Sequence, residues 1–299
     1  PIVIGRRAVV LNKIERLGLR IDLERDVRLV DPESDPAYPE YWRHYHRLMQ
    51  RKGTEPDQAR YVLRTDTTVI AAMMVKRRDA DAMICGTYGQ FDRHLRRLRD
   101  IVKLCEKVRT PAAMQLLIMP RHSLFLVDTH VTGEPDAEEI AAITLMAADQ
   151  IRTFGIEPKV ALVSHSNFGS SQRPSAAKMR QALRILVERA PELEVEGEMK
   201  ADTALSGANR DRAFPNSRLQ GSANLLVMPN LDAGNIAFNL AKVVTDGLSV
   251  GPIMLGLDAP AHVVTPSITV RGLVNMTAVA VVQAQRHQAG QGSGGAVRR

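Results

Sequence analysis

Short continuous apolar runs alternate along this chain with segments whose hydrophobic positions recur at helical spacing. "PIVIG" reads as a buried strand, and "RRAVVLNKIERLG" as a helix stopped by Gly18. "VRLVDP" predicts a second strand, closed by Pro32. In "YPEYWRHYHRLMQRKG" residues Tyr41, Trp42, Tyr45, Leu48 and Met49 share one helical face, and Gly53 ends the helix. "DTTVIAAMMVKRRDA" predicts a largely buried helix with Asp66 or Thr67 as its N-cap. A strand, "ADAMICG", comes next. The basic segment "RHLRRLRDIVKLCEKVR" then places Leu95, Leu98, Ile101, Val102 and Cys105 on one side of a helix.

"MQLLIM" and "SLFLVD" predict two strands joined by the tight turn "PRH". "AEEIAAITLMAADQIRTFG" follows as a long helix with acids in its first turn and Gly155 at its end. "KVALVS", "ANLLVM" and "VGPIML" predict further strands. "PNLDAGNIAFNLAKVV" turns from a strand end into a helix, with Asp232 expected as N-cap. The final helix is expected from about Thr269 to Gln285, and residues 289–299 as a flexible tail. This alternation predicts an α/β fold with a mainly parallel sheet covered on both faces. Ligands in such folds settle beyond the carboxyl ends of the strands, here the loops after "ICG", "LVS" and "MPN".

Composition narrows the class. The 299 residues are 44% hydrophobic and 24% charged, which excludes a disordered chain, and 4% aromatic, which disfavours an all-β sandwich. No apolar run approaches the roughly 18 residues of a membrane span, and no charged-then-apolar leader opens the chain. A cytoplasmic protein without a membrane partner is the expectation. Cys85 and Cys105 are read as reduced thiols. The net charge of +7 suits an anionic partner. Nucleic acid is disfavoured, because no recognition module and no interleaved aromatics accompany the basic helix.

No GxGxxG opens a helix after a strand, and there is no GxxxxGK[ST], so neither a dinucleotide fingerprint nor a P-loop is written here. No metal site is expected. His44 and His46 are two residues apart and do not share a helical face, and His130 beside Asp128 suits a structural pair better than a ligand set. The loop "SHSNFGSSQRPSAAKMR" gathers Ser164, Ser166, Asn167, Ser170 and Ser171 ahead of a helix starting near Pro174. Its backbone N–H groups suit a phosphate or carbonyl, although helix capping accounts equally well for Ser and Asn there. Asn235 could reach the same region. In "HVVTPSITVRGLVNM", Thr265, Ser267 and Thr269 precede an apolar helix.

"KVALVSHSNFGSSQRPSAAKMRQAL", "EVEGEMKADTAL", "SANLLVMPNLDAGNIAFNLAK" and "VGPIMLGLDAP" occur in the order and spacing of the phosphotransacetylase (phosphate acetyl/butyryl transferase) family, and "DAMICGTYGQFDRHLRRL" is similar to its upstream motif. "YWRHYHRLMQRKG", "TDTTVIAAMMVKR" and "FPNSRLQGSANLLVMPN" resemble more closely the C-terminal phosphotransacetylase-like region of bacterial NADP-dependent malic enzymes. The first residue is Pro1, and no NADP fingerprint is present, as in a piece of a longer protein.

The resemblance implies two three-layer α/β subdomains around a cleft, of the isocitrate/isopropylmalate dehydrogenase kind. These would be residues 1–112 plus 256–288, and 113–255. It implies homo-oligomers, dimers or larger assemblies up to hexamers. The family's Ser-Arg-Gly turn and later catalytic acid correspond here to Thr265, Pro266 and Gly272, so efficient acyl transfer is not expected. Arg96, Ser164, Ser166, Asn167, Ser170, Asn235, Thr265 and Ser267 are carried over as ligand-binding positions. The function so implied is a regulatory and oligomerisation domain that binds acetyl-CoA or CoA as an effector, with no cofactor of its own. NADP, a divalent metal and malate oxidation belong to the absent part. The alternative is an active phosphate acetyltransferase that uses His165 or Asp232 as base, with Thr265 assisting.

Overall fold

In this computed structural model, which describes residues 1–120 and 122–294, the chain divides into two compact units. The first comprises residues 1–103, 258–266 and 279 onward; the second, 104–257 and 267–278.

The first unit begins with β1 (Ile2–Ile4), α1 (Arg7–Arg16) and β2 (Arg28–Val30), the two strands pairing in parallel. Helix α2 (Tyr38–Met49) buries Tyr41, Tyr45 and Met49. Helix α3 (Pro56–Thr65) has no counterpart in the sequence reading. It buries only Ala59 and Leu63, too thin an apolar stripe to stand out. Asp66 leaves helical geometry and accepts a hydrogen bond from Val69 N, capping α4 (Thr67–Arg77) as expected. After β3 (Met83–Cys85), α5 (Phe91–Ile101) buries Leu95, Leu98 and Ile101. Cys105 lies outside this helix, contrary to the sequence expectation. Lys103 takes a left-handed conformation (φ 73°), and Leu104 then bridges to Leu257.

The second unit contains β4 (Ala112–Ile118), β5 (Ser123–Val127), α6 (Ala137–Arg152), β6 (Lys159–Val163), α7 (Pro174–Arg189), β7 (Glu194–Met199), α8 (Ala201–Leu205), α9 (Gly207–Ala213), β8 (Leu225–Val227), α10 (Leu231–Thr245) and β9 (Leu248–Leu255). Its sheet runs β7-β6-β8-β5-β4-β9. The neighbours β7, β6, β8 and β5 are parallel, whereas β4 is antiparallel to both β5 and β9. The sheet is therefore mixed. The hairpin "PRH" accounts for this, since a tight turn can join only antiparallel strands. Met119 N donates to His122 O across that turn, whose Arg121 lies outside the described residues.

Helix α6 opens with a reciprocal capping box between Asp136 and Glu139. Helix α10 is capped by Asn230, which accepts from Ala233 N, and not by the expected Asp232, an exposed residue of the first turn. Strand β7 was also unread, because glutamates alternate through "EVEGEM".

The chain then returns to the first unit with β10 (Ala261–Val263), parallel to β3. Helix α11 (Val270–Gly294) runs beyond the expected end at Gln285, so residues 289–294 of the expected tail are helical. A helix once formed gains one hydrogen bond per added residue, and no proline interrupts it. Residues 295–299 of that tail lie outside the described residues. Among the described residues no helix is long and apolar enough to cross a membrane, and no group of three or more His, Cys, Asp or Glu could hold a metal ion.

Candidate functional site

In the second unit the parallel neighbours β6, β8 and β5 end side by side, which brings the loops after "LVS", "MPN" and "LVD" to one edge of the sheet. Two side-chain contacts tie these loops together. Asn230 Nδ2 donates to Glu134 Oε1 at 2.9 Å, and Lys178 on α7 approaches Glu134 Oε2 at 3.6 Å.

The loop 164–173 is organised around one buried carboxylate, Glu198 at the end of β7. Its Oε1 accepts from Ser166 Oγ at 2.6 Å, from Gly169 N at 3.0 Å and from Arg180 Nη1 at 2.9 Å. Glu198 is fully buried, whereas the Arg180 side chain is 26% exposed. Ser166 Oγ also lies 3.0 Å from Ser170 Oγ and accepts from Ser171 N. Asn167 accepts from Lys200 N through Oδ1 at 2.8 Å. Ser164 Oγ is buried without a hydrogen-bond partner among the described residues. The structure thus brings Ser164, Ser166, Asn167 and Ser170 together, and their hydroxyl and amide groups mainly hold the loop in shape.

In the loop after β5, Asp128 is buried and accepts from the backbone N–H groups of Ala113, His130, Val131 and Thr132. Burial pushes its carboxyl pKa up, against the pull of those four donors. Burial also pushes the His130 imidazole down to about 4, so it is neutral at pH 7. Asn235 donates through Nδ2 to Thr129 O at 3.1 Å. The first turn of α10 lies so close that a Cβ on Gly234 would stand 2.0 Å from Asp128 O. Only glycine fits there.

Other expected positions belong to different surroundings. Arg96 is exposed on α5 in the first unit, whereas two other arginines of that helix pair with Asp66, Arg97 at 3.3 Å and Arg93 at 3.7 Å. In the same unit Val264 N donates to Cys85 O, placing Thr265 next to the glycine turn after β3. That turn needs its glycine: Gly86 has φ 105°, and a Cβ there would lie 2.2 Å from Val264 O. Burial pushes the Cys85 thiol up to about 12, so it is not a nucleophile.

In the second unit Ser267 is exposed, and Thr269 Oγ accepts from Gly272 N at 3.0 Å, which makes Thr269 a helix cap. Gly272 is buried, and a Cβ on it would meet Ile268 at 3.0 Å. His165 is exposed with Nε2 3.1 Å from Ser171 Oγ.

Two groups at the centre of the loop escaped the sequence reading: Glu198 and its partner Arg180. The available signal was a pair of carboxylates, Glu196 and Glu198, spaced by two in a strand-length segment, since such residues are buried only when partnered.

The family profile of phosphate acetyl/butaryl transferases matches residues 1–281. The chain belongs to that family. The transferase family's fold is matched by a solved phosphotransacetylase from Staphylococcus aureus, with a TM-score of 0.84 at 26% identity, covering 95% of this chain and 86% of that one. Among curated relatives, the NADP-dependent malic enzyme of Escherichia coli K12 is 50% identical over 286 residues, and the NAD-dependent malic enzyme of Rhizobium meliloti is 51% identical over 283. The match takes in 95% of this chain in both cases, but 38% and 37% of those relatives. This transferase-family chain therefore spans little more than a third of the malic enzymes it matches.

Proposed function

We propose that this chain is the effector-binding and assembly part of a malic enzyme, and that it binds acetyl-CoA with a degenerate phosphotransacetylase site. The observation that carries the reading is an ordered polar loop, 164–171, kept in place by Glu198 and Arg180, in a chain with no proton acceptor at Gly272 and no guanidinium at Pro266. Malate oxidation, with its nicotinamide cofactor and divalent metal, falls to the part of the longer protein beyond this chain. The identity to malic enzymes supports this assignment.

Assembly is supported by the outer face of α10. Ile236, Leu240, Val243 and Val244 lie on one stripe at 65%, 63%, 80% and 74% exposure, an apolar face that a second copy of the chain would cover. Effector control requires that acetyl-CoA bind one arrangement of that assembly more tightly than another.

Acyl transfer from acetyl phosphate to CoA requires a base for the thiol proton and donors for the developing oxyanion. At Gly272 the chain has no carboxylate to act as that base, and His165 and Asp232 are exposed to solvent. The chain is therefore expected to form acetyl-CoA from acetyl phosphate at least about 100-fold more slowly than a phosphotransacetylase assayed alongside. Gly272→Asp alone should not restore the rate, because Pro266 still supplies no guanidinium and the new Cβ would press on Ile268 at 3.0 Å. Turnover comparable to the control enzyme, abolished by Thr265→Ala, would establish the transferase instead.

A further inference from the structure

Phe168 has φ 48°, the left-handed region that bulky side chains avoid, and it lies in the middle of the polar loop. Two contacts hold it there. Its N–H donates to Glu198 O at 2.8 Å, and its ring stacks on that of Phe214, with centroids 4.6 Å apart and planes 23° from parallel. Phe168 also packs against the core formed by Met199, Leu219 and their neighbours, so its backbone strain is balanced by packing on one side. Both rings remain partly exposed.

In the segment 200–214 that ends on Phe214, Lys200, Arg210 and Arg212 outnumber Asp202 and Asp211. One helical turn before Phe214, Arg210 is fully buried, and its Nε and Nη1 find no acceptor among the described residues. Its Nη2 donates to Gly221 O, a neutral carbonyl, and among the described residues no carboxylate pairs with it. Burying a guanidinium without a charge partner is costly, so Arg210 marks a place where an anion would be favourable. Lys200, exposed and bonded through its N–H to Asn167, stands at the other side of the same loop. Flat apolar rings beside basic side chains suit a ligand that has both an aromatic face and phosphates.

We propose that the Phe168–Phe214 pair is a stacking platform for the base of a purine nucleotide, with Arg210 and Lys200 supplying the field that holds its phosphates. Adenine is the natural base if the acetyl-CoA reading holds, and to that extent the platform rests on it. Phe214 offers the outer ring face. Phe168 is the inner support, and the buried carboxylate of Glu198 is what keeps the loop that carries it in place.

The experiment is calorimetric titration of ADP, inorganic pyrophosphate and acetyl-CoA into the chain and into Phe214→Leu and Phe214→Trp, with unfolding curves confirming that both variants fold. ADP should bind the native chain, bind Phe214→Leu about tenfold more weakly, and regain affinity in Phe214→Trp, while pyrophosphate is unaffected by either change. Equal ADP affinity in the native chain and Phe214→Leu, or no ADP binding up to millimolar concentration, overturns the platform. If acetyl-CoA binds Phe214→Leu as tightly as the native chain, the platform fails but the effector reading stands. If ADP binding depends on Phe214 while acetyl-CoA does not bind, the effector reading fails and the platform stands.

Discussion

Truncating Glu198 to alanine is expected to lower the stability of the chain by about 2–3 kcal/mol, because it removes a buried acceptor and leaves its donors unsatisfied. The carboxylate is fully buried and holds Ser166, Gly169 and Arg180 through one oxygen, so several donors lose their acceptor together. Glu198→Gln keeps the shape and an acceptor oxygen but not the charge, and should cost less. Urea unfolding of the three chains measures both. Because Arg180 is 26% exposed, water can reclaim it, and the double variant Glu198→Ala/Arg180→Met should recover little of the loss. A cost below about 1 kcal/mol for Glu198→Ala would mean that the loop is held by other contacts.

Stability should also fall steeply between pH 6.5 and 4. Burial depresses the His262 imidazole to about 4, opposed by a hydrogen bond with Gln283, and burial depresses His130 to about 4 as well. Above pH 6.5 both imidazoles are neutral whether the chain is folded or not, and their contribution is fully present. Below it the unfolded chain takes up protons that the folded chain refuses, so stability is lost until the pH reaches the folded value. For His262, which is fully buried, the loss is about 3 kcal/mol.

The raised pKa of Asp128 acts in the opposite sense, since the folded chain binds that proton first. This offset begins where the folded carboxyl starts to protonate, above its ordinary value of 3.8, and grows until that value is reached. Denaturant midpoints from pH 7 to 4 for the native chain and for His262→Gln test the assignment. The variant should start less stable at pH 7 and show a shallower decline. Parallel profiles would show that His262 carries none of the slope.

Much of the fold could be read from the residues, and the failures have physical causes. Strands made of unbroken apolar residues, such as "KVALV", and helices with caps, such as Asp66 and the Asp136–Glu139 box, announce themselves locally. Helix α3 did not, because two buried residues in ten make no periodic signal. Strand β7 was hidden by its glutamates, whose burial is compensated by partners distant in sequence: Arg180, Ser166 and Gly169 for Glu198, and Arg218 N for Glu196.

The same limit governed the site. The serines and asparagine of loop 164–171 were visible as a polar turn before a helix, but the group that organises them lies on another strand. Asp232 and Asn230 both stand at the start of α10, and either side chain can accept from an N–H two or three residues ahead. The turn geometry decides between them, and a sequence does not carry it. Arg96 and Arg97 are adjacent on a basic helix, and only the fold distinguishes the exposed one from the one paired with Asp66.

The central claim is that this chain keeps a ligand site of the transferase family without its chemistry. The most direct measurement is calorimetric titration of acetyl-CoA into the chain in the absence of acetyl phosphate. Saturable binding of one acetyl-CoA per chain, released intact and unhydrolysed, is the expected result. No heat of binding up to millimolar acetyl-CoA would contradict the effector role and leave assembly, through the apolar face of α10, as the function to be tested.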